Sequence, residues 1–114
     1  MNYKWGIFIA DLNPVQGSEQ KGTRPVIVVS DEDFNRLMPV VTILPITSLK
    51  KGRRVYPNEV LLKQGIEGLA QDSIILAHQI RTVSKNRLRD SIGFINNHST
   101  HNAINDALKV HLNL

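Results

Sequence analysis

The stretch Gly17-Ser18-Glu19-Gln20-Lys21-Gly22-Thr23-Arg24-Pro25 concentrates side chains that can do chemistry. It carries two glycines, a carboxylate, an amide, two hydroxyls and two cations between the apolar runs Trp5 to Asp11 and Val26 to Val29. A connection that only reversed the chain could be far shorter. Arg24 precedes Pro25, and a residue before proline is pushed toward extended backbone, so its guanidinium sits on stiff chain. Glu19 stands five residues earlier in the same loop. If the two meet, Arg24 lowers the carboxylate's pKa and keeps it available as a base. The alternative is a structural ion pair or a loop-capping carboxylate. The working expectation is that this loop carries chemistry and that the rest of the chain holds it in place.

The elements around it read as short strands. Trp5 to Asp11 is a buried strand, with Gly6 marking a bulge or a close backbone approach. Asn13-Pro14 breaks it. The β-branched run Val26 to Val29 is a central strand. Ser30 or Asp31 caps a short helical turn through Phe34 to Leu37, and the carboxylates Asp31, Glu32 and Asp33 suit its start rather than a metal. Val40 to Ile46 is another strand, with Pro45 suggesting an edge or a bulge. Leu49 to Tyr56 reads as a hairpin loop around Gly52. Asn58 to Leu62 is a strand, Gly65 and Gly68 mark a turn, and Ser73 to Ala77 is a strand that bends into Gln79 to Val83. Ser84 caps one turn, Ser91 to Ile95 is a last strand, and Ser99 or Thr100 caps a terminal helix with Ile104, Ala107, Leu108, His111 and Leu112 on one face. Five to seven strands and one convincing helix predict a mainly β protein with short helices, a small, strongly bent sheet or barrel with a packed C-terminal helix.

Composition sets the outer limits. The chain has 114 residues, which fits one domain over 1–114. Apolar residues are 41% and charged residues 21%, so it is neither disordered nor fibrous. No cysteine is present, which excludes disulfides, thiolate metal sites and cysteine nucleophiles and suits a reducing cytoplasm. No signal peptide fits the N-terminal residues, and no apolar run reaches the ~20 residues of a membrane span. The net charge of +4 and pI near 9.7 permit a polyanionic or acidic partner without requiring one. The cations cluster as Lys50, Lys51, Arg53 and Arg54, then as Arg81, Lys85, Arg87 and Arg89.

Asp11-Leu12-Asn13-Pro14-Val15, the Gly-Ser-Glu-Gln loop, Gly22-Thr23-Arg24-Pro25, Pro45-Ile46-Thr47-Ser48 and Gln79-Ile80-Arg81-Thr82 follow one another in the order and spacing of the MazF/PemK toxins. The chain resembles that family from about Trp5 to the terminal helix. The resemblance implies an SH3-like barrel of the CcdB/PemK kind, a homodimer, and a cofactor-free, metal-independent endoribonuclease (an mRNA interferase) acting on single-stranded RNA at short sequences. It also implies a cognate MazE-like antitoxin whose acidic segment occupies the basic groove, with no membrane involved.

Metal-free RNA cleavage lets the ribose 2′-hydroxyl attack the adjacent phosphorus. It needs a base, stabilisation of the phosphorane and an acid for the departing oxygen. The resemblance carries key roles to Arg24 and Thr47. A guanidinium fork fits two phosphate oxygens, and a threonine hydroxyl can donate to one. Glu19 is the leading proton-transfer candidate. His78 stands where relatives often carry an acid, Leu76 where some have arginine, and Ser18 where some have histidine, so an acid–base scheme built on those three does not transfer. A histidine can move protons near neutral pH, and His78 is either a second candidate or a structural residue. His98, His101 and His111 match no recognised zinc spacing and read as structural or exposed.

RNA contacts are expected from Lys50, Lys51, Arg53 and Arg54, where each neutralised phosphate adds salt-dependent affinity, and from Arg81. Tyr56 is the stacking candidate, while Trp5 and Phe8 read as core. Asn13, Ser18, Gln20 and Gln79 offer polar groups to bases or backbone. Two rivals share the fold: a CcdB-like gyrase poison, against which the ending His111-Leu112-Asn113-Leu114 counts, and a non-catalytic module that binds nucleic acid, RNA or DNA, without turnover.

Overall fold

In the computed structural model, residues 2–63 and 69–114 are described; the expected turn at Gly65 and Gly68 lies outside them. Seven strands form one antiparallel system: β1 (Gly6–Asp11), β2 (Thr23–Val28), β3 (Val40–Ser48), β4 (Glu59–Leu62), β5 (Ser73–Leu76), β6 (Arg81–Ser84) and β7 (Leu88–Phe94). The spatial order is β4-β5-β3-β2-β1-β7, with β6 also paired to β3. Among the described residues two α-helices, α1 (Glu32–Leu37) and α2 (His98–Leu112), accompany the strands. No helix among the described residues is long and apolar enough to cross a membrane.

Strand β3 is the hub, and here the structure corrects the sequence reading. Pro45 lies neither on an edge strand nor in a bulge. One side of β3 pairs β6 over Val40–Ile43 and then β5 over Ile46–Ser48, while β2 lies along the other side. Pro45 falls in the gap between the β6 and β5 ladders, where a residue without an N–H costs no pairing on that side. Segment 49–58 is likewise no hairpin loop. β5 lies between β3 and β4, so the segment crosses over instead of reversing the chain onto its neighbour. The strand from Ser73 stops at Leu76, and a 3-10 turn over Ala77–Gln79 separates it from β6.

Alternation of side chains along the central strands divides the apolar interior in two. Ile27 of β2 and Leu44 and Ile46 of β3 join Ile7, Ile75 and the α2 residues Ile104 and Ala107. Val26 and Val28, with Val41 and Ile43, face the other way and join Phe8, Ala10 and Leu12. Helix α2 thus packs within its own chain through Ile104 and Ala107, while His111 and Leu112 of its apolar stripe are exposed. Its cap is Asn97, whose side chain accepts from the Thr100 N–H, rather than Ser99 or Thr100.

The N-terminal segment is fastened before β1 begins. Glu32 accepts from the N–H groups of Tyr3 and Lys4. Burial works against its charge, but these donors, with Asn35 and Arg36, outweigh it and hold the carboxyl below its ordinary value. Asp31 caps α1. At Gly6 a Cβ would lie 2.9 Å from the Tyr3 carbonyl oxygen, the close backbone approach that requires glycine there.

Candidate active site

The polar loop is an excursion between β1 and β2 that closes on itself. The Leu12 N–H donates to the Gly22 carbonyl at 3.0 Å, and the Gly22 N–H donates to Asn13 Oδ1 at 3.1 Å. Gly22 has φ +80°, a left-handed conformation that suits glycine. Two arginines from the far end of the chain hold the near arm. Arg81 donates to the Leu12 carbonyl at 2.7 Å, and Arg87 donates to the carbonyls of Asp11 and Asn13. Asn13 and Arg81, both expected at the RNA surface, therefore also build the loop's base. Arg87 reads from the sequence only as one of a basic group, since nothing in its local sequence announces a partner 76 residues away.

Beyond this base Arg24 is the second residue of β2, on the face occupied further along by Val26 and Val28. Its Nε donates to the Lys21 carbonyl at 2.8 Å, and Nη1 donates to Thr47 Oγ1 at 3.4 Å. The strand register accounts for the meeting: Val26 pairs with Pro45, so Arg24 falls opposite Thr47. The pair lines a cavity of about 500 Å³, with Ser48, Lys50, Gln71 and Ser73 also in its wall. None of the described residues lining it is acidic. Two cations and three hydroxyls around one cleft make a place for an anion.

A second cavity, of about 220 Å³, lies beside the first and is lined by Glu19, Gln20, His78, Gln79, Arg81 and Pro45, among others. Pro45 lines this cavity, while its strand neighbours Ile46 and Thr47 line the first, so the two adjoin along β3. Glu19 does not pair with Arg24. Its carboxylate turns back to accept from the Gln16 N–H within its own loop, the loop-capping alternative. Gln20 Oε1 is buried without a hydrogen-bond partner. Ser18 is exposed at the loop tip.

His78 leads to the residue that sequence reasoning missed. Its Nε2 lies 2.8 Å from Oε2 of Glu59, whose side chain is 1% exposed. Arg53 grips the same carboxylate with both Nη atoms, at 2.9 and 2.8 Å, and the Tyr56 N–H donates to it at 3.0 Å. The Arg53 hydrogen bonds, against the cost of burial and with help from Tyr56 and His78, bring the Glu59 pKa down to about 2. Arg53 thus commits its guanidinium inward, whereas Lys50, Lys51 and Arg54 remain exposed. Arg54 lies over the half-exposed Tyr56 ring. His101 stacks on Trp5 with ring centroids 4.0 Å apart, so Trp5 packs between core and helix, while Phe8 is fully in the core. Among the described residues no three His, Cys, Asp or Glu side chains converge as metal ligands.

These features define a small β protein with a cleft lined by cations and hydroxyls at one end of its central strands and titratable groups in the adjoining cavity. Over residues 3–112 the chain matches the family described as PemK-like, MazF-like toxin of type II toxin-antitoxin system, and it belongs to that family. It is 35% identical over 108 residues to an endoribonuclease MazF of Staphylococcus saprophyticus, covering 95% of this chain and 88% of the relative. Among solved structures it is similar to an endoribonuclease in complex with its cognate antitoxin from a mycobacterial species, at TM-score 0.80 and 25% identity, covering 100% of this chain and 97% of that one. The MazF of Deinococcus radiodurans shares the fold at TM-score 0.81 and 24% identity, covering 97% and 96%.

Proposed function

We propose that this protein is an endoribonuclease toxin that cuts single-stranded RNA, mRNA above all, at short sequences without a metal ion. The observation that carries the reading is the Arg24–Thr47 pair, set in a cleft whose described lining has cations and hydroxyls but no acid. Arg24 and Thr47 hold the non-bridging oxygens of the scissile phosphate and stabilise the phosphorane. A proton-accepting group in the adjoining cavity, Glu19 or His78, serves the 2′-hydroxyl. The products are a 2′,3′-cyclic phosphate and a 5′-hydroxyl. Lys50, Lys51 and Arg54 follow the RNA backbone, Tyr56 stacks on a base, and Gln20 and Gln79 contact base edges. The functional unit is a cytoplasmic homodimer, silenced by a cognate antitoxin whose acidic segment covers the basic cleft.

Incubation of the purified protein with a long single-stranded RNA in EDTA tests this reading. Cleavage with cyclic-phosphate ends, lost in Arg24→Ala, is the expected result. A DNA copy of the same sequence has no 2′-hydroxyl and stays intact; cutting of the DNA would exclude the mechanism. Binding without cleavage would instead indicate a non-catalytic module, and gyrase-dependent DNA breaks a gyrase poison.

A further inference from the structure

We propose that His78 is the group that takes the 2′-hydroxyl proton, through Nδ1, and that Glu59 is its positioning residue. The inference rests on the RNA-cleaving reading above and chooses between the two proton-transfer groups that share one cavity.

The lone pairs of Glu59 fix the tautomer of His78. The two carboxylate oxygens accept four hydrogen bonds, from Arg53 Nη1 and Nη2, the Tyr56 N–H and His78 Nε2. An ionised carboxylate only accepts. His78 Nε2 must therefore carry a hydrogen and donate it, and in the neutral imidazole Nδ1 is left with the free lone pair. The Arg53 grip that keeps Glu59 charged also fixes its position, because the two planar groups meet fork to fork. His78 itself stands on the 3-10 turn closed by the Ile80 N–H to the Ala77 carbonyl. His111 of α2 meets its ring edge to face, with centroids 6.4 Å apart. The imidazole is thus held from β4, from its own turn and from α2, and it lines the cavity that adjoins the Arg24–Thr47 cleft. Glu19, on the same cavity, is exposed and among the described residues its carboxylate is tied only to backbone of its own loop. A proton acceptor works best when its geometry is fixed by a surrounding shell, and His78 has that shell.

In the step, Nδ1 removes the proton from O2′ as O2′ bonds to phosphorus. The P–O5′ bond breaks with its electron pair passing to O5′, which takes a proton from water. The imidazolium then returns its proton to solvent.

Three measurements on the full-length protein test the assignment. Imidazole ¹⁵N NMR of the parent protein should find neutral His78 with its hydrogen on Nε2, and Glu59→Gln should convert it to a mixture of tautomers. His78→Asn should lower kcat by about 10²–10⁴-fold with little change in KM, and Glu59→Gln should lower kcat by a smaller factor with KM again unmoved. With an RNA whose scissile 5′-oxygen is replaced by sulfur, a leaving group that needs no acid, the His78→Asn defect should persist. A hydrogen on Nδ1 in the parent, His78→Asn turnover within twofold of parent, or full rescue by the thio substrate would each overturn the proposal. A parent protein that cleaves no RNA would instead defeat the broader reading, while the tautomer measurement would still report on the Glu59–His78 pair.

Discussion

A carboxylate that accepts four hydrogen bonds in the interior resists protonation, and Glu59 should make that visible as acid lability. Its pKa lies at about 2 in the folded chain against 4.5 ordinarily, because Arg53, Tyr56 and His78 donate to it. A depressed folded pKa gives stability that is complete above the unfolded value and is lost as pH falls through the window from 4.5 to about 2. The share at stake is at most about 3 kcal/mol. Urea unfolding should find Glu59→Gln less stable than the parent at neutral pH and nearly free of this acid-dependent loss. None of this could be read from the chain, where Glu59 is a lone acid heading the apolar run Val60-Leu61-Leu62. Its histidine partner stands 19 positions away and meets it only when β4 and β5 pair. Arg24, by contrast, was legible locally: a cation fixed by the following proline and preceded by the glycine that shapes the turn.

At the level of the elements, the loop between β1 and β2 depends on one backbone conformation. Gly22 → Ala forces a β-carbon onto φ +80°, where an L-residue costs about 1–2 kcal/mol. Gly22 also supplies both bonds that close the loop base. The substitution should lower the melting temperature and reduce RNA cleavage, whereas Lys21→Ala, which leaves the backbone carbonyl under Arg24 in place, should keep the loop's stability. Apolar strands announce themselves by composition, so their positions are legible to within a few residues, except that the 3-10 turn dividing β5 from β6 carries no apolar signature and the two read as one bent strand. Strand neighbours are not legible in this way. A β-branched run with a proline looks like an edge, and only the hand-over of β3 from β6 to β5 explains how a central strand carries Pro45. The crossover through 49–58 hid for the same reason, since sequence adjacency suggested a hairpin that the insertion of β5 forbids.

For the whole molecule, the net charge of +4 says less than where its cations sit. Arg53, Arg81 and Arg87 are occupied with the protein's own oxygens, whereas Lys50, Lys51 and Arg54 are exposed and stand, with Arg24 of the cleft, among the cations that can meet a polyanion. RNA affinity should fall with salt, and the double variant Lys50→Ala, Lys51→Ala should flatten the slope of log K against log salt by about 1.4. A titration of fluorescent RNA from low to moderate salt measures this. The substitutions should leave the melting temperature unchanged, because both side chains are exposed.

The closed base of the loop separates two tasks that a shorter turn would merge. Residues 12 and 22 are joined to each other, Arg81 and Arg87 hold the near arm by its carbonyls, and Arg24 is steadied by a backbone oxygen rather than by a loop side chain. Every one of these fastenings except Asn13 uses main-chain atoms of the loop, so an exposed tip side chain such as Ser18 is free to vary without disturbing the cleft. The loop can therefore change what its tip presents without loosening its base, and a graft confined to the tip that keeps Gly17, Glu19 and Gly22 should leave Arg24 in place.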